Sequence, residues 1–231
     1  MLKGKLFSMN LTRLTAELAL YIRDDVLEAY STSWLNDAIL EIASDFELPD
    51  LRLREPTALT TTTANWLYSL PATYHKKLFK VRNENYDQLS ICRDIQTIES
   101  IDYDHDETGD SVTNIAIEGV NDTAKIAIYP KANDTLYLWY YRLPVSMSAG
   151  TDEPDGIPPE YHERVIIPKV IAKNYRNLTD MAVKQTHQSI MYWEKKYKTG
   201  LYGEPGGDIG MINYFAKNKG VRKHGGRDPL P

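Results

Sequence analysis

Asp102, Asp104 and Asp106 stand at alternate positions in the run 102–110, Asp-Tyr-Asp-His-Asp-Glu-Thr-Gly-Asp. A calcium loop of the EF-hand type opens with this spacing, because alternate carboxylates can converge on one hard cation. Such a loop then needs Gly at its sixth position and Glu at its twelfth. Counted from Asp102, those positions hold Glu107 and Thr113, and no flanking helices are expected. The run therefore reads as a solvated acidic hairpin tip.

The histidines His75, His105, His162, His187 and His224 are scattered, and none pairs with a second ligand at metal spacing. His162, next to Glu163 at a helix start, is expected to face solvent or cap the helix. His187 falls on the apolar side of the last expected helix, where a core or interface histidine is the ordinary case. The chain has no G-x-S-x-G elbow, Walker loop, dinucleotide fingerprint or H-E-x-x-H pair. Residues 203–210 are rich in glycine but lack the Lys-Ser/Thr ending and the amphipathic helix that a phosphate loop requires. No catalytic, cofactor-binding or metal-ligating residue is expected, and no cofactor.

The chain has 231 residues, 42% of them apolar and 26% charged, with a formal net charge of -5. These values suit a globular protein with a real core. They argue against a protein that coats DNA with its whole surface. Cys92 is the only cysteine, so neither an internal disulfide nor a cysteine-based zinc site can form. No apolar run is long enough for a membrane span and the N-terminus lacks a leader pattern, so a soluble chain with no membrane partner is expected. Against 4 Phe stand 16 Tyr and 4 Trp. Such amphipathic rings fit a tyrosine-rich β core, or a subunit with large contacts to its neighbours.

Helical periodicity runs from Leu11 to Leu27, with Leu11, Leu14, Leu18 and Ile22 on one face and Asn10 as N-cap. A second helix starts near Ser33, with Leu35, Ala38, Ile39, Ile42, Ala43 and Phe46 as its stripe. The middle of the chain changes to period two. Strands are expected at 57–63, 66–70, 78–81, 88–91, 114–118, 124–129 and 135–141, and one or two helical turns at 94–101. Asn121-Asp122 and Ala132-Asn133-Asp134 carry turn chemistry, which predicts a meander of antiparallel hairpins. Pro159 opens a third helix, kinked at Pro168. A last helix is capped by Thr179 or Asp180 and ends at Gly200.

The fold class expected is α+β: a four-helix bundle with an inserted antiparallel β domain, sandwich or barrel-like, and an extended C-terminal tail. The parts are an N-terminal helical hairpin (1–50), the β domain (51–145), a C-terminal helical hairpin (146–200) and the tail (201–231). Two sets of residues are candidates for binding. The strand 136–141 is apolar on both faces, so Tyr137, Trp139 and Tyr141 need a covering layer or a partner. The tail combines an apolar patch, Met211, Ile212, Tyr214 and Phe215, with the cations Lys217, Lys219, Arg222, Lys223 and Arg227. It could order on a partner surface.

Five segments carry a family resemblance: 34–43 (Trp-Leu-Asn-Asp-Ala-Ile-Leu-Glu-Ile-Ala), 70–74 (Leu-Pro-Ala-Thr-Tyr), 126–130 (Ile-Ala-Ile-Tyr-Pro), 136–144 (Leu-Tyr-Leu-Trp-Tyr-Tyr-Arg-Leu-Pro) and 157–163 (Ile-Pro-Pro-Glu-Tyr-His-Glu). Their order over residues 10–200 resembles head-to-tail connector (adaptor) proteins of tailed bacteriophages, including tail tubular protein A-like proteins of short-tailed phages. The resemblance implies a structural virion protein of the neck, assembled in the host cytoplasm into a dodecameric homo-oligomeric ring. It implies contact with the portal protein above and with tail or nozzle proteins below. DNA would pass through the lumen without sequence-specific binding, and the C-terminal segment would reach the portal. In such a channel the acidic loop would repel phosphate. A carbohydrate- or receptor-binding β module, with Trp66, Trp139 and Tyr140 as sugar platforms, is the competing expectation.

Overall fold

Asn10 has an extended backbone, and its side chain accepts a hydrogen bond from the Arg13 N–H (3.0 Å). This cap starts helix α1, Leu11–Ala19, whose Leu11, Leu14 and Leu18 are buried. The computed structural model describes residues 9–21, 29–119, 123–178, 183–204 and 209–219. Ile22, the Asn121-Asp122 turn and the Thr179/Asp180 cap lie outside the described residues. Helix α2, Ser31–Asp45, begins two residues earlier than expected and buries Leu35, Ala38, Ile39, Ile42 and Ala43. Phe46, at the end of the expected stripe, leaves the helix in extended conformation ahead of Pro49.

Seven strands follow: β1 (Thr57–Thr61), β2 (Leu67–Ser69), β3 (Tyr74–Arg82), β4 (Ser90–Ile91), β5 (Asn114–Glu118), β6 (Lys125–Tyr129) and β7 (Asp134–Arg142). The short helix α3, Ile95–Glu99, lies between β4 and β5, N-capped by Asp94. The strands form two open sheets, ordered β1-β7-β3 and β2-β6-β5-β4, and no closed barrel among the described residues. The expected meander needs two corrections. Strand β7 does not pair with β6 but crosses to the other sheet, between β1 and β3. Strand β4 pairs with β5 in parallel. Turn residues at 132–134 reverse the chain, but they do not specify which sheet receives the next strand.

One core joins the two sheets. Val81, Leu136, Leu138 and Tyr140 of the three-stranded sheet meet Ile115, Ile126 and Ile128 of the four-stranded one. Each fully buried aliphatic side chain here contributes about 1.5–3 kcal/mol. The Tyr140 hydroxyl is satisfied by Thr73 (2.6 Å) and Thr57 (3.1 Å). On the other face of the four-stranded sheet, Ala116 and Ala127 leave room for Ile98 of α3.

The chain then returns to helix. Pro159 begins a 3-10 turn, Pro159–Tyr161, followed by a π-helical turn, His162–Ile166, and helix α4, Ile167–Leu178. The irregularity expected at Pro168 thus takes the form of a wide turn just before it, since proline supplies no N–H to the preceding turn. Helix α5 is Val183–Tyr202. It does not end at Gly200, as expected, but at Gly203, which adopts φ +81° and donates its N–H to Thr199 (2.7 Å). Glu41 of α2 joins α4 by ion pairs to Lys169 (3.1 Å) and Lys173.

The expectation of an extended tail over 201–231 is corrected where the chain is described: Met211–Lys219 is a helix, α6. Met211, Ile212 and Phe215 recur at helical spacing and are buried, which a solvated strand could not achieve. By internal contacts the chain divides into two compact units, Met1–Asp50 with Pro144–Pro231, and Leu51–Leu143. The first is helical and the second holds both sheets. The architecture is mixed α+β.

Candidate interaction surfaces

Strand β7 alternates from Leu136 to Tyr140, and Tyr141 after it is also buried (6% exposed). Leu136, Leu138 and Tyr140 enter the core, and Tyr137, Trp139 and Tyr141 line the opposite face of the three-stranded sheet. The three residues expected to form an interface are thus brought together. Each meets an aromatic or cationic neighbour. Tyr137 stacks with Tyr86 (centroids 5.8 Å, 4° between planes). Trp139 lies beneath the Lys80 ammonium (4.4 Å) and donates its indole N–H to the Arg54 carbonyl (3.2 Å). Tyr141 packs edge-on against Phe79, whose other neighbour is the Arg52 guanidinium, 4.0 Å from its centroid.

Sequence reasoning missed Phe79, Lys80 and Arg52. Phe79 and Lys80 are consecutive yet share a face, because β3 shifts register between Leu78 and Lys80. A bulge breaks the alternation on which sequence reading depends. Arg52 and Lys80 have no carboxylate partner among the described residues. The outcome is a sheet face of rings with cations held over them, an arrangement stabilised by the ring quadrupole. It suits an anionic or π-rich partner.

The acidic run leaves α3 on the far side of the four-stranded sheet. Its shape is fixed locally: the Asp102 carboxylate accepts the N–H groups of Asp106 (3.3 Å) and Glu107 (3.1 Å). His105, with φ +49°, stacks on Trp66 at 3.6 Å. The Tyr129 hydroxyl donates to Glu107 (2.7 Å), and that carboxylate holds the phenol above its usual range. Asp104, Asp106, Glu107 and Asp110 are exposed, and Tyr103 is 84% exposed. Among the described residues no group of three or more His, Cys, Asp or Glu could hold a metal ion.

The candidate tail residues separate. Met211 (0% exposed), Ile212 (8%) and Phe215 (1%) are buried within the chain, and Tyr214 packs edge-on to Tyr161 (5.6 Å). Lys217 is exposed. The side chain of Lys219 and all of Arg222, Lys223 and Arg227 lie outside the described residues. In the same helical unit a cleft of about 540 Å³ is lined by Tyr21, Arg164, Tyr192, Trp193, Lys196 and Gly200, among others.

His162 corrects another expectation. It is buried (1% exposed), with Nε2 2.8 Å from the Ile157 carbonyl and Nδ1 3.2 Å from that of Met9. It holds the loop before the 3-10 turn and the start of the chain against the π turn. The His187 side chain lies outside the description. Cys92 is a free thiol whose pKa is pushed up by burial and by Asp94, the reverse of an activated nucleophile. Nor do Trp66, Trp139 and Tyr140 form one sugar platform. Tyr140 is in the core, and Trp66 stacks on His105 at the four-stranded sheet.

A protein-family model described as SU10 adaptor protein matches residues 9–208. No curated protein matches the chain.

Proposed function

The chain belongs to the SU10 adaptor protein family, a family of phage head–tail adaptors, and from that premise we propose that it is a structural connector of the virion neck. The match over residues 9–208, which takes in most of both units, is the observation that carries the reading. In this proposal copies of the chain form a ring, dodecameric as in connectors of this kind, between the portal at the capsid vertex and the tail. The ring extends the DNA channel and does no chemistry. The helices of the first unit act as a bundle, and a relationship to the tail tubular protein A-like connectors of short-tailed phages belongs to the same proposal.

The face carrying Tyr137, Trp139 and Tyr141 beside Arg52 supports this role, since aromatic and arginine side chains are enriched at protein interfaces. Portal contact falls to the basic C-terminal end: Lys217, Lys219, Arg222, Lys223 and Arg227. With Met211, Ile212 and Phe215 packed inside the helical unit, the apolar patch contributes to portal contact by holding α6 in place. Imaging of virions carrying a tagged copy of this chain tests the proposal. Density for the tag in a ring at the neck is expected, and a tag found only elsewhere in the particle sinks it.

A further inference from the structure

The two faces of the β unit are chemically opposite. The shared core lies between the sheets, so Tyr137, Trp139, Lys80 and Phe79 point away from the four-stranded sheet. Ile98, Ala116 and Ala127 cluster on the other outer face, where α3 and the acidic loop lie. Trp66 and Tyr129, which pack on that cluster, hold the loop there through His105 and Glu107. One outer face therefore presents Arg52 and Lys80 without carboxylate partners among the described residues. The other presents Asp104, Asp106, Glu107 and Asp110 around an exposed Tyr103. No Lys or Arg occurs within residues 94–124, and among the described residues Lys131, whose backbone pairs with Glu107 and Gly109, is the one cation the fold brings beside the loop by backbone pairing.

We infer that the acidic loop 101–110 of one copy docks on the aromatic–cation face of the next copy, so that the β units join head to tail. The inference rests on the connector reading and gives its ring contact a location. A closed ring of identical chains requires two different, complementary patches on each subunit. Patches on opposite faces of one two-layer unit meet that requirement, whereas a two-fold dimer would need one self-complementary patch. Charge fixes the pairing: carboxylates meet ammonium and guanidinium groups, and like faces repel. Tyr103 supplies the aromatic anchor, 84% exposed in the free chain and flanked by the acids that would orient it. The loop is also preshaped by the Asp102 hydrogen bonds, which lowers the ordering cost of docking.

Native mass spectrometry and sedimentation of the full chain, alone and with purified portal, test the inference. Arg52→Glu with Lys80→Glu reverses the face, and Asp104→Lys with Asp106→Lys reverses the loop. Each variant should self-associate about tenfold or more weakly than the parent. In an equimolar mixture the loop of each variant meets an oppositely charged face on the other, so assembly should return as rings in which the two variants alternate. Both reversals in one chain should restore assembly, which a folding defect could not do. If the parent forms rings and both variants form them equally well, the inference falls while the connector reading stands. If the parent never associates with itself, with or without portal, both fall. Face reversal that abolishes DNA retention but leaves self-association intact overturns the inference in favour of a nucleic-acid surface.

Discussion

Gly200 of α5 lies against the backbone carbonyl of Arg164: a β-carbon built on the glycine would overlap that oxygen and stand 2.9 Å from the carbonyl carbon. Arg164 is in the π turn, and Pro168, four residues on, has no N–H to offer its carbonyl. The glycine lets α5 pass close to this irregular backbone. Gly200→Ala tests the point, because two effects oppose each other. Helix propensity favours alanine by about 1 kcal/mol. Forcing a methyl into packed backbone costs about 1–3 kcal/mol or more. The clash should win, with a net loss of stability in urea unfolding at unchanged m-value. A stabilised variant would show that α5 is free to move away.

On α2, Leu35 (0% exposed) and Ile39 (2%) sit one turn apart on the buried stripe. Replacing Ile39 with Ala should cost about 2–5 kcal/mol, the transfer of the lost methyls plus the cavity they leave. Leu40, next in sequence but 40% exposed, should lose far less on the same change. Equal losses at the two positions in denaturant melts would mean the helix is rotated from its described face.

These contrasts show what the sequence could and could not convey. Strands β5, β6 and β7 and helix α3 match their expected positions within a residue or two, because alternation and the Asp94 cap are local signals. Helix α2 was legible from its stripe. The pairing of β7 with β1 and β3 was not, since partner choice depends on contacts far apart in the chain. Helix α6 carries Met211, Ile212 and Phe215 at helical spacing, but nine residues are too few for the pattern to stand out. At the candidate interface the sequence identified Tyr137, Trp139 and Tyr141. It missed Lys80 and Arg52, which reach them only through a bulge and a separate segment.

Asp134 at the start of β7 organises three backbone segments. One carboxylate oxygen accepts from Thr135 N–H (2.7 Å) and Glu84 N–H (3.1 Å), the other from Val112 N–H (3.1 Å), and the residue is 3% exposed. Asp134→Asn must turn an amide N–H₂ toward one of these donors. A loss of about 1–3 kcal/mol is expected, for an unsatisfied buried group. Asp134→Ala strands all three donors and should cost more. Hydrogen exchange should then quicken at Glu84 and Val112 before it changes in α2. Uniform exchange across the chain would contradict this local role.

His162 sets the acid sensitivity of the helical unit. Burial pushes its pKa below the usual value near 6.5, against the opposing pull of the Ile157 and Met9 carbonyls. Both carbonyls favour the doubly protonated ring, but desolvation of the charge is the larger effect. The neutral ring can donate to one carbonyl only, and the shorter contact assigns its proton to Nε2. The sign follows from proton uptake. Between the folded and unfolded pKa values the unfolded chain binds more protons, so stability falls as pH drops. Full stability is expected above about pH 6.5, with loss beginning as pH falls through that value. Glu41 acts in a lower window. Burial works against its charge, but hydrogen bonds from Lys173 and Lys169 hold its pKa below the usual glutamate range, so its contribution is lost only as pH falls through and below that range. Urea melts at successive pH values should show the upper step in the parent and lose it in His162→Asn, whose amide does not titrate. Should the asparagine variant not fold, direct titration of the His162 ring by NMR decides the matter: a midpoint at or above 6.5 refutes the mechanism.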